Sequence, residues 1–97
     1  MSVVIEFQPK SLTTKQYDEI VRRMEIMDGE NPRGRTYHVC YKTGNTLKLF
    51  NVWDSSKDFD RFSQKLNPIL KELKIDLGRP EIHDIHKIMD EKHAHVY

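Results

Sequence analysis

Apolar positions recur along this chain with two different periods, one typical of strands and one typical of helices. Residues 2–8 and 81–89 are rich in strand-forming side chains, and residues 36–53 predict a hairpin of two strands around Gly44-Asn45. Between these segments, apolar side chains recur at helical spacing in two stretches, each of which predicts an amphipathic helix. The first stretch carries Tyr17, Ile20, Val21, Met24 and Met27, and the second carries Phe59, Phe62, Leu66, Ile69, Leu70 and Leu73.

Polar residues mark the starts of both predicted helices. Thr13 and Gln16 have the spacing of a capping box, in which each side chain bonds the other residue's backbone N–H. Ser55 is a strong N-cap for the second helix, and Asp58 lies in the first turn, where a negative charge is favoured. Pro68 falls inside the second stretch and predicts a kink or a restart of that helix.

The turn sets the predicted register of the hairpin. A two-residue Gly44-Asn45 loop suits a type II′ turn, because glycine supplies the positive φ at the first position. This turn places His38 opposite Asn51 and Thr36 opposite Trp53, with Cβ atoms of opposed residues about 4.5–5.5 Å apart. Strand alternation puts these four side chains on one face. The other face carries Tyr37, Val39, Tyr41, Lys48, Phe50 and Val52.

The order strand, helix, strand, strand, helix, strand predicts the ferredoxin-like βαββαβ fold, an α+β class. We expect a four-stranded antiparallel sheet with two helices on one face, formed by a single domain over residues 1–90, and a polar tail over residues 91–97. The sheet has apolar side chains on both faces, and two helices cover only one of them. An exposed apolar face of that size predicts a homodimer formed through the sheet.

Composition excludes several function classes. The chain has 16 basic and 15 acidic residues and a formal charge of +1, without the basic patch that nucleic-acid binding requires. No apolar run is long enough to span a membrane, and no signal peptide precedes the first strand, so we expect a cytoplasmic protein without a membrane partner. Cys40 is the only cysteine, and His83 and His86 have a spacing that separates them on a strand. We therefore expect no metal site and no cofactor.

The His38 face of the hairpin is the best candidate for chemistry. His38 and Asn51 are polar neighbours among apolar side chains that include Trp53, a combination typical of a ligand cavity. A histidine there can act as a general base near neutral pH, with Asn51 orienting the substrate and Trp53 packing against its ring. The alternative is a structural hydrogen bond between His38 and Asn51 on a buried or dimer-facing sheet.

Five segments carry a resemblance to a known family: VVIEF at 3–7, LTTKQYD at 12–18, YHV at 37–39, VWDS at 52–55 and FDRF at 59–62. Together they resemble small bacterial proteins of the dimeric α+β barrel superfamily, near the antibiotic biosynthesis monooxygenases. The resemblance implies a homodimer whose sheets pack together with the helices outside. It also implies a pocket between sheet and helices, in which some members oxidise aromatic polyketide-like substrates without metal or flavin, and others degrade heme.

The heme-degrading relatives use an asparagine on the first strand, a tryptophan and an iron-binding histidine on the second helix. Here the first strand offers Glu6, and residues 55–73 contain no histidine, so we do not expect heme degradation. For a cofactor-independent monooxygenase, the resemblance implies an aromatic or polar cavity, for which His38, Asn51, Trp53 and His86 are the candidates, with His38 as the catalytic base. Tyr37 is a further candidate pocket residue. Two functions stay open: a binding protein for a small molecule, with an aromatic ligand as one candidate, and a monooxygenase of an aromatic polyketide- or quinol-like substrate. A purely structural interaction module would have no pocket.

Overall fold

A computed structural model of the chain describes residues 1–29 and 31–89. The elements are β1 (Val3–Phe7), α1 (Thr14–Asp28), β2 (Arg35–Thr43), β3 (Thr46–Trp53), α2 (Ser56–Leu73) and β4 (Glu81–Asp84). The sheet order is β2-β3-β1-β4, and every neighbouring pair is antiparallel. This is the predicted ferredoxin-like α+β fold, which is thereby confirmed. The predicted tail over residues 91–97 lies outside the described residues. Within the described residues, neither helix has the length and apolarity that crossing a membrane requires.

The core lies between one face of the sheet and the two helices. Side chains on β1 and β3 alternate between buried and half-buried, which is the pattern of a sheet that is covered on one face. The buried face of the sheet and the helices form one apolar cluster. Its buried members include Val3, Ile5, Phe7, Leu47, Leu49, Trp53, Ile20, Met24, Phe59, Leu66 and Ile69. The second face of the sheet carries no helix and is called the open face below.

Both predicted helix starts are confirmed. The Thr13 side chain accepts a hydrogen bond from the backbone N–H of Gln16 at 3.1 Å, and the Gln16 side chain accepts one from the backbone N–H of Thr13 at 3.0 Å. Ser55 Oγ likewise accepts from the backbone N–H of Asp58 at 3.2 Å. The second helix continues through Pro68 to Leu73, so the predicted restart there does not occur.

The hairpin turn and most of its register are as predicted. Gly44 has φ 62°, and Thr43 pairs with Thr46 across the two-residue loop. His38 pairs with Asn51, as the alternation predicts.

The register differs beyond His38, because β2 contains a bulge at Thr36. Arg35 pairs with Trp53 and Tyr37 pairs with Val52, so the predicted pairing of Thr36 with Trp53 is wrong. A bulge inserts one extra residue in one strand and shifts the alternation beyond it by one position. The bulge therefore moves Arg35 onto the same face as His38.

Two further expectations are corrected. The last strand ends at Asp84 and not at residue 89, because Asp84 already pairs with Val3, the first residue of β1. Met27 was expected in the buried stripe of α1 and is 56% exposed. The buried stripe of α1 ends at Met24; one turn further on, half-buried Asp28 forms an ion pair with Lys65 of α2 at 2.7 Å.

Candidate functional site

A cavity of about 180 Å³ lies on the helix-covered side of the sheet. Side chains from β1, α1, β2, β3 and α2 line it, and most of them are apolar. The apolar lining consists of Phe7, Ile20, Val21, Met24, Pro32, Leu49, Phe62, Leu66 and Leu77. The polar lining consists of Tyr17, Glu25, Arg35, His38 and Asn51. An apolar cavity with a small number of converging polar groups is typical of small-molecule sites.

Three of the polar groups form one hydrogen-bonded chain. Tyr17 Oη lies 2.6 Å from His38 Nε2, and His38 Nδ1 is hydrogen-bonded to Asn51 Oδ1. An amide oxygen only accepts, so His38 carries its hydrogen on Nδ1. His38 Nε2 is then free to accept, and the Tyr17 hydroxyl donates to it. The chain therefore runs from Tyr17 through His38 to Asn51.

The local structure explains why these three side chains meet. His38 and Asn51 are cross-strand partners next to each other on the covered face of the hairpin. Tyr17 lies in the first turn of α1, where its backbone N–H donates to the Thr13 carbonyl at 3.0 Å. The capped start of α1 thus fixes the position of Tyr17 over the sheet. The rings of Tyr17 and His38 are nearly parallel, with an interplanar angle of 8° and centroids 6.0 Å apart.

Burial determines the protonation states of His38 and Tyr17. Burial lowers the pKa of His38; the hydrogen bond that His38 donates to Asn51 opposes this effect, and the nearby charge of Arg35 adds to it. The imidazole is therefore neutral at pH 7 and can accept a proton. Burial also raises the pKa of Tyr17, and Cys40 and Asp18 add to that rise while Arg35 opposes it. The Tyr17 hydroxyl is thus protonated at pH 7 and acts as the donor to His38.

Arg35 is the second polar feature of the cavity. Its guanidinium lies over the ring of Phe62, with the central carbon 5.8 Å from the ring centroid. Burial lowers the pKa of Arg35, and the neighbouring Tyr17 opposes that effect. The sequence did not indicate Arg35 as a site residue. Without a bulge, strand alternation pairs Thr36, and not Arg35, with Trp53. It also missed Tyr17 as a site residue, since helical spacing assigned that side chain to the core.

The five residues predicted for the site lie in different places. His38 and Asn51 line the cavity. Trp53 is 1% exposed and packs against Phe62, with ring centroids 5.0 Å apart, so it supports the cavity wall from behind. Tyr37 is 56% exposed on the open face, because alternation directs it away from His38. His86 is exposed and follows the end of β4, so it does not reach the cavity.

The described residues bring together no group of three or more His, Cys, Asp or Glu side chains that could hold a metal ion. Burial raises the pKa of the Cys40 thiol, and Asp18 adds to this rise. Cys40 is thus a protonated thiol at pH 7, which is a poor nucleophile. The chemistry available in the cavity is therefore proton transfer between Tyr17 and His38, whose imidazole Asn51 orients, and charge stabilisation by Arg35.

No family model matches the chain, and no curated protein matches its sequence. Several solved structures do match its fold. The protein YjcS, from a structural genomics study, is 13% identical with a TM-score of 0.60 and covers 89% of this chain and 100% of its own. A mutant of SnoaB, a cofactor-independent oxygenase from Streptomyces nogalater, is 14% identical with a TM-score of 0.60, covering 93% of this chain and 96% of its own. Rv0793 from Mycobacterium tuberculosis is 17% identical with a TM-score of 0.51, covering 92% and 95%.

These likenesses extend over about nine-tenths of the chain and agree with the predicted ferredoxin-like α+β fold. At identities of 13–17%, they establish the fold and not a shared activity. Function has to be argued from the cavity and its residues.

Proposed function

We propose that this chain binds a small molecule in the cavity between the sheet and the helices. The observation that carries the proposal is the series of hydrogen bonds that joins Tyr17, His38 and Asn51 and places a neutral imidazole within an apolar cavity. A structural hydrogen bond between His38 and Asn51 would need neither the cavity nor the Tyr17 hydroxyl. The combination fits a binding site in which apolar walls hold the ligand and the polar groups orient it.

The cavity volume supports a ligand with a ring. An engineered cavity of about 150 Å³ in another protein binds benzene. The cavity here measures about 180 Å³, which is enough for one substituted aromatic ring. A purely structural module, the third possibility raised by the sequence, gives no reason for such a space.

A second candidate function is a cofactor-independent monooxygenase that acts on an aromatic polyketide- or quinol-like substrate. The Tyr17–His38 hydrogen bond favours it, because this pair can remove a proton from a substrate hydroxyl as a general base. The Tyr17 oxygen would accept the substrate proton while its own proton passes to His38 Nε2. The resulting phenolate would be oxidised by O2, with one oxygen atom entering the substrate and the other leaving as water. The cavity volume favours a one-ring quinol over a multi-ring polyketide.

The proposed functional unit is a homodimer formed through the open face of the sheet. That face has half-buried or exposed apolar side chains and no helix over it, so a second copy would remove them from water. Its apolar and aromatic members are Val4, Tyr37, Val39, Tyr41, Phe50 and Val52. The cavity lies on the other face, so each copy of the chain would keep its own site.

The test is a binding screen on the full chain with one-ring phenols, quinols and aromatic acids, followed by NMR. We expect ligands to shift the resonances of His38 and Phe62 on the cavity wall, and to leave those of exposed Tyr37 unchanged. Oxygen uptake with the quinols that bind would support the monooxygenase candidate. Binding without oxygen uptake would support the binding protein, and no binding by any of these compounds would contradict both.

A further inference from the structure

We infer that the ligand of this cavity is a one-ring aromatic carboxylate whose acid group is bound by Arg35. The inference rests on the proposed small-molecule site and specifies the chemical class that the site takes. It depends on four features of the structure: the position of Arg35, the absence of a partner for it, the apolar walls, and the cavity volume.

Arg35 has a guanidinium without a counter-charge among the described residues. The acidic side chains that form ion pairs with Lys or Arg there do so with other cations: Asp28 with Lys65, Asp58 with Arg61, Glu19 with Arg22 and Arg23, and Glu72 with Arg23. The hydrogen bonds within residues 1–29 and 31–89 likewise include none donated by the Arg35 side chain. A half-buried cation is unfavourable unless it is paired, so this guanidinium is available for an anion.

The geometry of the group selects the kind of anion. A guanidinium presents parallel N–H donors in a planar fork, which matches the two oxygens of a carboxylate. Phe62 packs against the guanidinium and also lines the cavity, so an acid held by Arg35 places its ring beside an aromatic wall. Leu49 and Met24 contribute further apolar lining for that ring. One ring and one carboxylate therefore account for both the apolar and the charged parts of the site.

The other charged group of the cavity is compatible with this ligand. Glu25 lines the cavity and is exposed to solvent, where water and salt screen its charge. The Tyr17 hydroxyl already donates to His38, so it does not compete with Arg35 as a donor to the carboxylate. Arg35 is thus the group that distinguishes a charged ligand from a neutral one of the same shape.

The experiment compares benzoate with benzamide, which has the same size and no charge. Each is titrated into the chain of 97 residues while the cavity resonances are followed by NMR. Charge-assisted hydrogen bonds imply a preference of about ten- to a hundredfold for benzoate. We expect Arg35→Met to remove this preference and to leave benzamide binding within about threefold. Arg35→Lys keeps the positive charge and loses the planar pair of N–H donors, so it should keep part of the preference for benzoate.

The matched control is Arg33→Met, which makes the same charge change two residues away at an exposed position. We expect it to keep the benzoate preference, so that a general loss of positive charge is separated from loss of the anchor. Equal binding of benzoate and benzamide by the unaltered protein, or a preference that survives Arg35→Met, would overturn the inference and leave the small-molecule site standing. Failure of both ligands to bind, with other one-ring compounds also failing, would overturn the site itself.

Discussion

The imidazole of His38 donates its Nδ1 hydrogen to Oδ1 of Asn51, the residue directly opposite on the neighbouring strand. This hydrogen bond holds one tautomer and turns Nε2 toward the Tyr17 hydroxyl, 2.6 Å away. Strand pairing thereby fixes the positions of His38 and Asn51, and the capped start of α1 fixes the position of the donor, Tyr17. The arrangement has the geometry in which an orienting group holds the catalytic histidine of serine proteases in one tautomer. Replacing His38 therefore tests whether this residue acts on a ligand or only forms a structural hydrogen bond with Asn51.

Replacing His38 by alanine should weaken ligand binding or turnover while the protein stays folded. Loss of a general base lowers the rate by about 10²–10⁴-fold. If His38 only paired with Asn51, the same change would leave a buried amide unpaired, at a cost of about 1–3 kcal/mol in stability, and would not affect ligand selectively. Thermal midpoint and ligand affinity, measured on the one variant, distinguish these results.

The control for this experiment is His86→Ala. His86 was predicted as a pocket residue from the sequence, and the structure places it beyond β4 and exposed. We expect its removal to leave affinity and turnover unchanged. A destabilised His38→Ala variant with normal binding, or a His86→Ala variant with lost binding, would contradict this assignment of the site.

The free energy of unfolding should rise with pH in the window just below pH 6.5. Burial lowers the pKa of His38 below its ordinary value of 6.5, so in that window the unfolded chain binds a proton that the folded chain does not. The contribution is fully present above pH 6.5 and is lost as pH falls toward the folded-state pKa. Tyr17 and Cys40 have raised pKa values and titrate above this window.

Urea denaturation of the unaltered protein and of His38→Gln, between pH 5 and pH 8, measures this effect. The other histidines and the carboxylates are common to both proteins, so the difference between the two curves reports His38. We expect the curves to converge toward low pH and to separate as pH rises to 6.5. Two parallel curves would show that His38 has the same pKa in the folded and unfolded states.

Gly34→Ala should destabilise the fold and displace the neighbouring Arg35. Gly34 has φ 90°, and a Cβ atom there would lie 2.4 Å from Cγ of Asp58. Its carbonyl also accepts a hydrogen bond from the backbone N–H of Asp54 at 2.8 Å, so the loop cannot move without losing that bond. Backbone strain alone is about 1–3 kcal/mol, and the contact with Asp58 adds to it.

Gly44→Ala is the matched control for the backbone effect. Gly44 also has a positive φ, 62°, and an added Cβ would meet no atom within 4 Å. We expect both variants to lose stability in chemical denaturation, with the larger loss at Gly34, and only Gly34→Ala to weaken benzoate binding. Equal losses at the two positions would show that Asp58 moves aside without cost.

Local signals were sufficient to predict most of the fold. The capping pairs at Thr13 and Ser55 and the turn at Gly44 involve residues within a few positions of one another, so their chemistry is visible in the sequence. Correct placement of the turn then fixed the pairing of His38 with Asn51, because strand alternation leaves no other register.

The parts of the site that the sequence did not predict depend on distant contacts. The bulge at Thr36 interrupts an otherwise regular alternation, and no local residue pattern indicates it. Tyr17 fits the apolar stripe of α1 by spacing, and its partner His38 lies 21 residues further along the chain. Only the packing of α1 on the sheet brings the two together. Arg35 and Tyr17 are therefore the residues for which the structure, and not the sequence, carries the argument.

If the chain dimerises through the open face of its sheet, one charged substitution on that face should dissociate the dimer into monomers. Val39 and Phe50 are cross-strand partners in the middle of that face, and Phe50 also packs edge-on against Tyr37 with ring centroids 6.3 Å apart. We expect light scattering to report a dimer at micromolar concentration and Phe50→Lys to give a folded monomer, because a buried unpaired ammonium in the interface is strongly unfavourable. Lys57→Glu, at an exposed position of α2 on the opposite side of the sheet, should leave the dimer intact. The cavity lies on the opposite face, so the monomeric variant should still bind ligand. A monomer for the unaltered protein, or a dimer that survives Phe50→Lys, would contradict dimerisation through this face.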